Sequence, residues 1–245
     1  FAWLRYVFGG LLFGIGMTLG SGCGNKTFVR SGGGNLKSLV LLVFFAAPAA
    51  YWMMWGDIGG KGFFDTFFMS WIGPTVVDLG KFGIKSQELG AIVGGLAGMQ
   101  DTGTLHLILG ALIALALFAF VFKSADFRRS FDNILGGAVI GLAIVAGWWI
   151  TGGAWGAEWK DYAEFLTEVP SRVAVQSFTF ISPMGDGVRY VLQPGNLSLL
   201  NFGVMTLCGV IVGSFLYSLA TRRFRIEWFV NFKDFLAHAT GGILL

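Results

Sequence analysis

Ser21-Gly22-Cys23-Gly24-Asn25-Lys26-Thr27-Phe28-Val29-Arg30-Ser31-Gly32-Gly33-Gly34-Asn35 gathers five glycines, one thiol, two cations and two asparagines. The chain on either side is strongly apolar, over residues 4–19 before it and 36–55 after it. A membrane helix would carry leucines here. Irregular, polar backbone within a hydrophobic chain is tolerated only where it is buried in protein or lines a cavity, so this interruption governs how the rest is read.

The composition agrees with a membrane setting. Hydrophobic residues make up 55% of the chain, aromatics 16% and charged residues 13%, against about a quarter charged in a soluble domain, and mean hydropathy is +0.70. An all-α integral membrane protein is expected, and soluble enzyme classes are excluded. The 245 residues leave room for several spans of about 20 residues, and the 38 glycines suit close helix packing and broken helices. Cys23 and Cys208 sit in different surroundings and suggest neither a disulfide framework nor a metal site, since zinc needs about four clustered ligands; no metal or cofactor is expected.

Outward from the interruption, residues 4–19 read as a glycine-striped helix, with Gly9, Gly10, Gly14 and Gly16 in it and Gly20 after it, that lets another backbone approach closely. Residues 36–55 read as a span ending in Tyr51, Trp52 and Trp55, where aromatics favour the membrane interface. Between 57 and 103 the chain is mixed, with Phe63, Phe64, Phe67, Phe68 and Trp71 at helical spacing and an apolar stretch at 91–98 too short to cross. Residues 104–122, 134–150 and 197–220 are further spans. Residues 155–168 form a polar, aromatic, partly helical surface segment. Residues 173–181 are too short to cross, and Ser182-Pro183-Met184-Gly185-Asp186-Gly187 is expected to break the chain.

Charge sets an orientation. Segments 123–133 and 221–235 hold seven Lys/Arg together, whereas 57–103 and 152–197 each carry five acidic against three basic residues. The positive-inside rule places the two short basic loops in the cytoplasm.

The chain also matches itself. Ser21-Gly22-Cys23-Gly24 with Gly34-Asn35-Leu36 aligns with Ser182-Pro183-Met184-Gly185 with Gly195-Asn196-Leu197 at one offset of 161, which sets Cys23 opposite Met184. Gly9-Gly10, Gly14 and Gly20 align with Gly136-Gly137, Gly141 and Gly147 at an offset of 127. A bundle of pseudo-symmetric repeats is expected, about 4–56 and 134–220, within one membrane transport domain over 1–245. Asn35 and Asn196 are expected helix caps. Broken elements in duplicated halves point to a substrate path where the breaks meet.

The interruption has the chemistry of an anion site. Gly22, Cys23 and Gly24 expose backbone N–H groups, a helix starting near Asn25 turns its positive end toward Cys23, and Lys26 and Arg30 share a face with Thr27 close by. Cations and amides bind any small oxyanion; the polarisable thiol of Cys23 adds a preference for a soft sulfur atom. Cys208, within a smooth apolar span, reads as a packing residue, His106 as an interfacial side chain and His238 as structural.

These residues resemble the YeeE/YedE family of sulfur transporters. The likeness rests on Gly22-Cys23-Gly24 with Lys26-Thr27 and Arg30, on Gly33-Gly34-Asn35-Leu36-Lys37-Ser38-Leu39, on Gly147-Trp148-Trp149 with Thr151-Gly152, and on Phe224-Arg225-Ile226-Glu227-Trp228-Phe229. The resemblance implies a bacterial inner-membrane permease with short re-entrant helices pinching an hourglass-like path, along which thiosulfate passes by cysteine thiol contacts. Cys23 matches the first of these thiols. It further implies a cytoplasmic sulfurtransferase-like partner. No nucleic-acid partner is expected. The family carries a Gly-Cys motif after its final glycine-pair helix, whereas this chain starts at Phe1 and ends in an apolar stretch at 241–245, so a longer protein is expected.

Two other readings stay open. A membrane-embedded thiol-dependent sulfur transferase or oxidoreductase would use Cys23 as nucleophile, but it needs a nearby base or resolving thiol, and neither lies close in sequence. A permease for a related anion, selenite or sulfite, is the other.

Overall fold

The computed structural model describes residues 1–84, 86–99, 103–165 and 172–245. The chain runs α1 (Trp3–Leu19), α2 (Gly24–Gly32) and α3 (Leu36–Trp55), the last continuous through a π-helical turn at Leu41–Ala46. A small hairpin of β1 (Asp57–Ile58) and β2 (Lys61–Gly62) follows, then a π-helical turn at Asp65–Met69. The remaining helices are α4 (Leu89–Leu96), α5 (Gly103–Lys123), α6 (Ala125–Arg129), α7 (Phe131–Gly152), α8 (Ala154–Glu164), α9 (Ile181–Leu192), α10 (Phe202–Ala220) and α11 (Phe232–Leu244).

Five stretches are long and apolar enough to cross a membrane: Trp3–Gly32, Leu36–Trp55, Gly103–Lys123, Phe131–Gly152 and Phe202–Ala220. The fold is that of an all-α, multi-pass membrane protein. The 21 residues of α5 extend about 31 Å at 1.5 Å per residue, the thickness of a hydrocarbon core. None of them is fully buried, and a helix apolar nearly all round is suited to lipid.

The chain divides into two compact units, residues 1–5 with 72–143, and residues 6–71 with 144–245. In the first, α4 packs on α5. There His106, near the start of α5, has its Nε2 3.4 Å from Glu88 Oε2.

The second unit holds the interruption. Its core gathers Phe28 of α2, Leu41, Leu42, Ala46 and Ala50 of α3, Met184 of α9 and Leu207 of α10. The half-helix α2 packs along α10, and α9 packs along α3. The glycine stripe of α1 is used at its end only: a Cβ on Gly16 would lie 2.9 Å from the Leu244 backbone of α11, whereas Gly9, Gly10 and Gly14 face open space.

Several expectations change. The span expected over 197–220 is two elements. Asn196 Oδ1 accepts the Ser198 N–H at 3.0 Å and caps only a 3-10 turn, Leu197–Leu199. The long helix starts afresh at Phe202, capped by Asn201, whose Oδ1 accepts the Val204 N–H at 3.0 Å.

Residues 182–187 do not break the chain; they open α9. Pro183 is accommodated because first-turn N–H groups have no intrahelical partner to lose. The irregular part is the arm before it, at 173–180. The Gln176 N–H donates to Thr151 Oγ1 at 3.0 Å and Ser177 Oγ to Ile144 O at 2.8 Å, which lays the arm along α7.

Cys208 is exposed rather than packed. His238 is buried with Nδ1 2.8 Å from Asp234 O, a structural position. The surface segment 155–168 is helical to Glu164; Glu168 lies outside the described residues.

Candidate functional site: the junction of two half-helices

After α1 the chain turns at Ser21, whose φ is +61°, and α2 begins at Gly24 with Cys23 in the cap position. The Cys23 thiol makes no capping bond and is half-buried, while its carbonyl accepts both the Thr27 N–H at 3.0 Å and Thr27 Oγ1 at 2.9 Å. The buried Thr27 hydroxyl is thus satisfied by the carbonyl four residues before it. Arg30 Nη1 reaches back to Ser21 O at 3.3 Å. Asn25 and Lys26 are exposed, and the Lys26 stem lies over Gly22, 2.7 Å from where a Cβ would sit. Lys26 and Arg30 thus both fold back toward the Ser21–Gly22 turn that precedes Cys23.

The first turn of α9 meets this turn directly. A Cβ on Gly24 would lie 3.0 Å from Ile181 Cδ1 and 3.7 Å from Phe180 Cβ, and the Phe28 and Phe180 rings are 6.0 Å apart. The N-termini of two half-helices thus abut, and each presents about half a positive charge. Met184, aligned with Cys23 in the sequence, is 4% exposed and belongs to the hydrophobic core.

The two Gly-Asn-Leu pieces, after α2 and after α9, share backbone conformation at their Gly and Asn. Gly34 and Gly195 have φ of +98° and +97°, and Asn35 and Asn196 have φ/ψ of −76°/99° and −80°/91°. Asn35 caps α3 in full: its Oδ1 accepts the Ser38 N–H at 2.8 Å, and its Nδ2 donates to the Glu227 carboxylate.

Sequence reasoning missed Asp186. It is 1% exposed, and its carboxylate accepts from Arg172 Nε at 2.6 Å, Asn201 Nδ2 at 3.0 Å and Trp55 Nε1 at 3.2 Å. Arg189 lies over the Trp55 ring at 4.4 Å. A buried carboxylate is tolerated only with such partners. The signal was available: Asp186 stands between two glycines and aligns with Asn25 at the offset of 161. Arg172 also lines a cavity of about 1390 Å³ with Lys160, Trp155, Gln176, Asn201 and Met205.

On another side of this unit, Lys37 Nζ donates to Asp234 Oδ2 at 2.7 Å. That bond, with the Val230 N–H and the nearby His238, holds the Asp234 carboxyl below its ordinary value.

A multi-pass helical protein whose chain is interrupted by half-helices meeting at their N-termini has the construction of a membrane transport protein. Over residues 1–245 the chain matches the family described as sulphur transport, and it belongs to that family. It is also similar to the thiosulfate transporter TsuA of Escherichia coli (strain K12), at 23% identity over 260 aligned positions that cover 100% of this chain and 63% of TsuA. The chain therefore spans just under two thirds of that relative's length.

Proposed function

We propose that the protein is part of a permease that brings thiosulfate into the cell across the bacterial inner membrane, with Cys23 at the constriction. The observation that carries this reading is the abutment of the α2 and α9 N-termini beside the half-buried Cys23 thiol. Two helix dipoles with Lys26 and Arg30 favour an anion. The thiol favours a sulfur-bearing one, because S–H donates weakly to a soft terminal sulfur and gives a hard sulfate oxygen little advantage.

Gly22, Gly24 and Asn25 shape the turn, Thr27 bonds back onto the Cys23 carbonyl within it, and Met184 backs the junction from the core. The shared conformations at Gly34-Asn35 and Gly195-Asn196, and the exchange in which α2 packs on α10 while α9 packs on α3, support a duplicated construction. Both short basic segments face the cytoplasm in this reading, where a sulfurtransferase-like protein receives the sulfur.

The test is uptake of labelled thiosulfate into proteoliposomes holding the full-length protein, comparing wild type with Cys23→Ala and Cys23→Ser. A loss of about tenfold or more in both variants, with unchanged thermal unfolding, is expected. Undiminished uptake in Cys23→Ala removes the thiol from the mechanism. Sulfate transported as fast as thiosulfate removes the soft-sulfur argument.

A further inference from the structure

The Phe224-Arg225-Ile226-Glu227 segment has a structural role that the junction does not use. It lies parallel to Gly33–Leu36 as an isolated bridge: the Arg225 N–H donates to Gly33 O at 3.1 Å, the Glu227 N–H to Gly34 O at 3.3 Å, and the Leu36 N–H to Glu227 O at 3.0 Å. Gly34 makes this approach possible, since its φ is +98° and a Cβ there would lie 2.6 Å from Arg225 O. Backbone is thus stitched to backbone, and the neighbouring side chains are held around a fixed frame.

That frame encloses a pocket of about 440 Å³ lined by Arg30, Arg222, Arg223, Arg225, Asn35 and Glu227. Four arginines and one glutamate line it, and the Glu227 carboxylate already accepts from Asn35 Nδ2. Arg30 stands in the last turn of α2, so a single short helix joins Cys23 to a residue that lines the pocket. Planar guanidinium forks match the oxygens of tetrahedral oxyanions, and several of them clustered around one carboxylate leave an uncompensated positive charge.

From this geometry we infer that the pocket is a second, separate oxyanion site, selective for a doubly charged sulfate-like ion or for a phosphate group over a monovalent halide. The chemistry has two sources: a free divalent anion leaving the α2 path, or the headgroup phosphate of an anionic lipid held by a basic pocket at the cytoplasmic face. The inference rests on the permease reading only in naming thiosulfate as the free ion.

Equilibrium binding of labelled sulfate and thiosulfate is measured on the full-length protein in neutral detergent, with short-chain phosphatidylglycerol and phosphatidylcholine as competitors. Wild type is expected to bind either divalent anion saturably at low salt, more weakly as salt screens the charges. The combined Arg222→Gln, Arg223→Gln, Arg225→Gln variant is expected to bind about tenfold more weakly or worse. The corresponding Arg→Lys variant, which keeps the charge but loses the fork, checks that the effect does not come from misfolding and should fall between the two.

Displacement by phosphatidylglycerol but not phosphatidylcholine assigns the pocket to a headgroup, and absence of displacement assigns it to the free ion. Binding that is absent in wild type, or unchanged in the Gln variant, overturns the site. Uptake is scored separately in wild type: sulfate binding by wild type without thiosulfate uptake refutes the permease reading and leaves the pocket standing.

Discussion

Gly24 and Ile181 close the gap between the two half-helices: a Cβ on Gly24 would stand 3.0 Å from Ile181 Cδ1. The atom it would meet is the tip of a flexible side chain, so a methyl group can be admitted by a small shift, whereas a branched side chain would push the helix N-termini apart. Gly24→Ala is expected to fold normally and lose a few-fold in uptake. Gly24→Val is expected to lose most uptake and to cost roughly 1–3 kcal/mol by overpacking. Thermal unfolding alongside uptake separates the two effects, and a Gly24→Val protein with wild-type transport would show that the junction does not set the path.

Asp186 anchors Arg172, Asn201 and Trp55 at one buried carboxylate. Removing it in Asp186→Ala takes away the acceptor shared by a partly exposed cation and two neutral donors, an expected loss of about 1–3 kcal/mol. Asp186→Asn keeps the shape and one acceptor and should cost less. Unfolding midpoints in one detergent rank the two; equal stability of Asp186→Ala and wild type would mean that the cluster contributes no net stability.

Gly34 and Gly195 share a φ close to +98°, yet only Gly34 has backbone beside the missing Cβ, with Arg225 O at 2.6 Å, while Gly195 faces open space. Gly195→Ala therefore carries backbone strain alone, of about 1 kcal/mol, at the low end for a left-handed residue. Gly34→Ala adds a clash that separates the 224–227 segment from α3 and should cost more than about 3 kcal/mol. Equal effects of the two substitutions would contradict the stitched geometry.

Asp234 accepts from Lys37 and from the Val230 N–H, and its carboxyl is held below its ordinary value by these bonds first. A depressed folded value means that the stabilisation is present above the unfolded carboxyl range, near 3.9, and disappears as pH falls through the folded value. Asp234→Asn is expected to cost about 1–2 kcal/mol at pH 7, and the gap to wild type should close below about pH 4. A gap that persists in acid would assign the effect to packing.

Much of this was legible in the residues themselves. Hydropathy located the spans at 36–55, 104–122 and 134–150 to within a few residues, because length and apolar content alone decide whether a helix can cross. Asn35 was identifiable as a cap and Cys23 as the start of a half-helix, because capping and glycine turns depend on residues three or four apart. The Asp57–Gly62 hairpin was missed although Gly59 and Gly60, with φ of +63° and +83°, are its turn signal. The exposure of Cys208 was also missed, since a smooth apolar helix does not reveal which of its faces meets protein.

By itself, the sequence determined a multi-pass helical membrane protein, interrupted at Ser21–Asn35 by a polar Cys-Gly-Asn-Lys turn. These features are local, and each follows from neighbouring residues and the solvent they prefer. The tertiary structure alone decided that Met184 belongs to the core, that Asp186 pairs with Arg172, Asn201 and Trp55, that α9 turns its N-terminus toward α2, and that Arg30 shares a pocket with Arg222, Arg223 and Arg225. Those juxtapositions join residues 14 to 195 positions apart in the chain. Their free energy lies in side chains packed and paired across helices, which no local pattern of hydropathy or capping encodes.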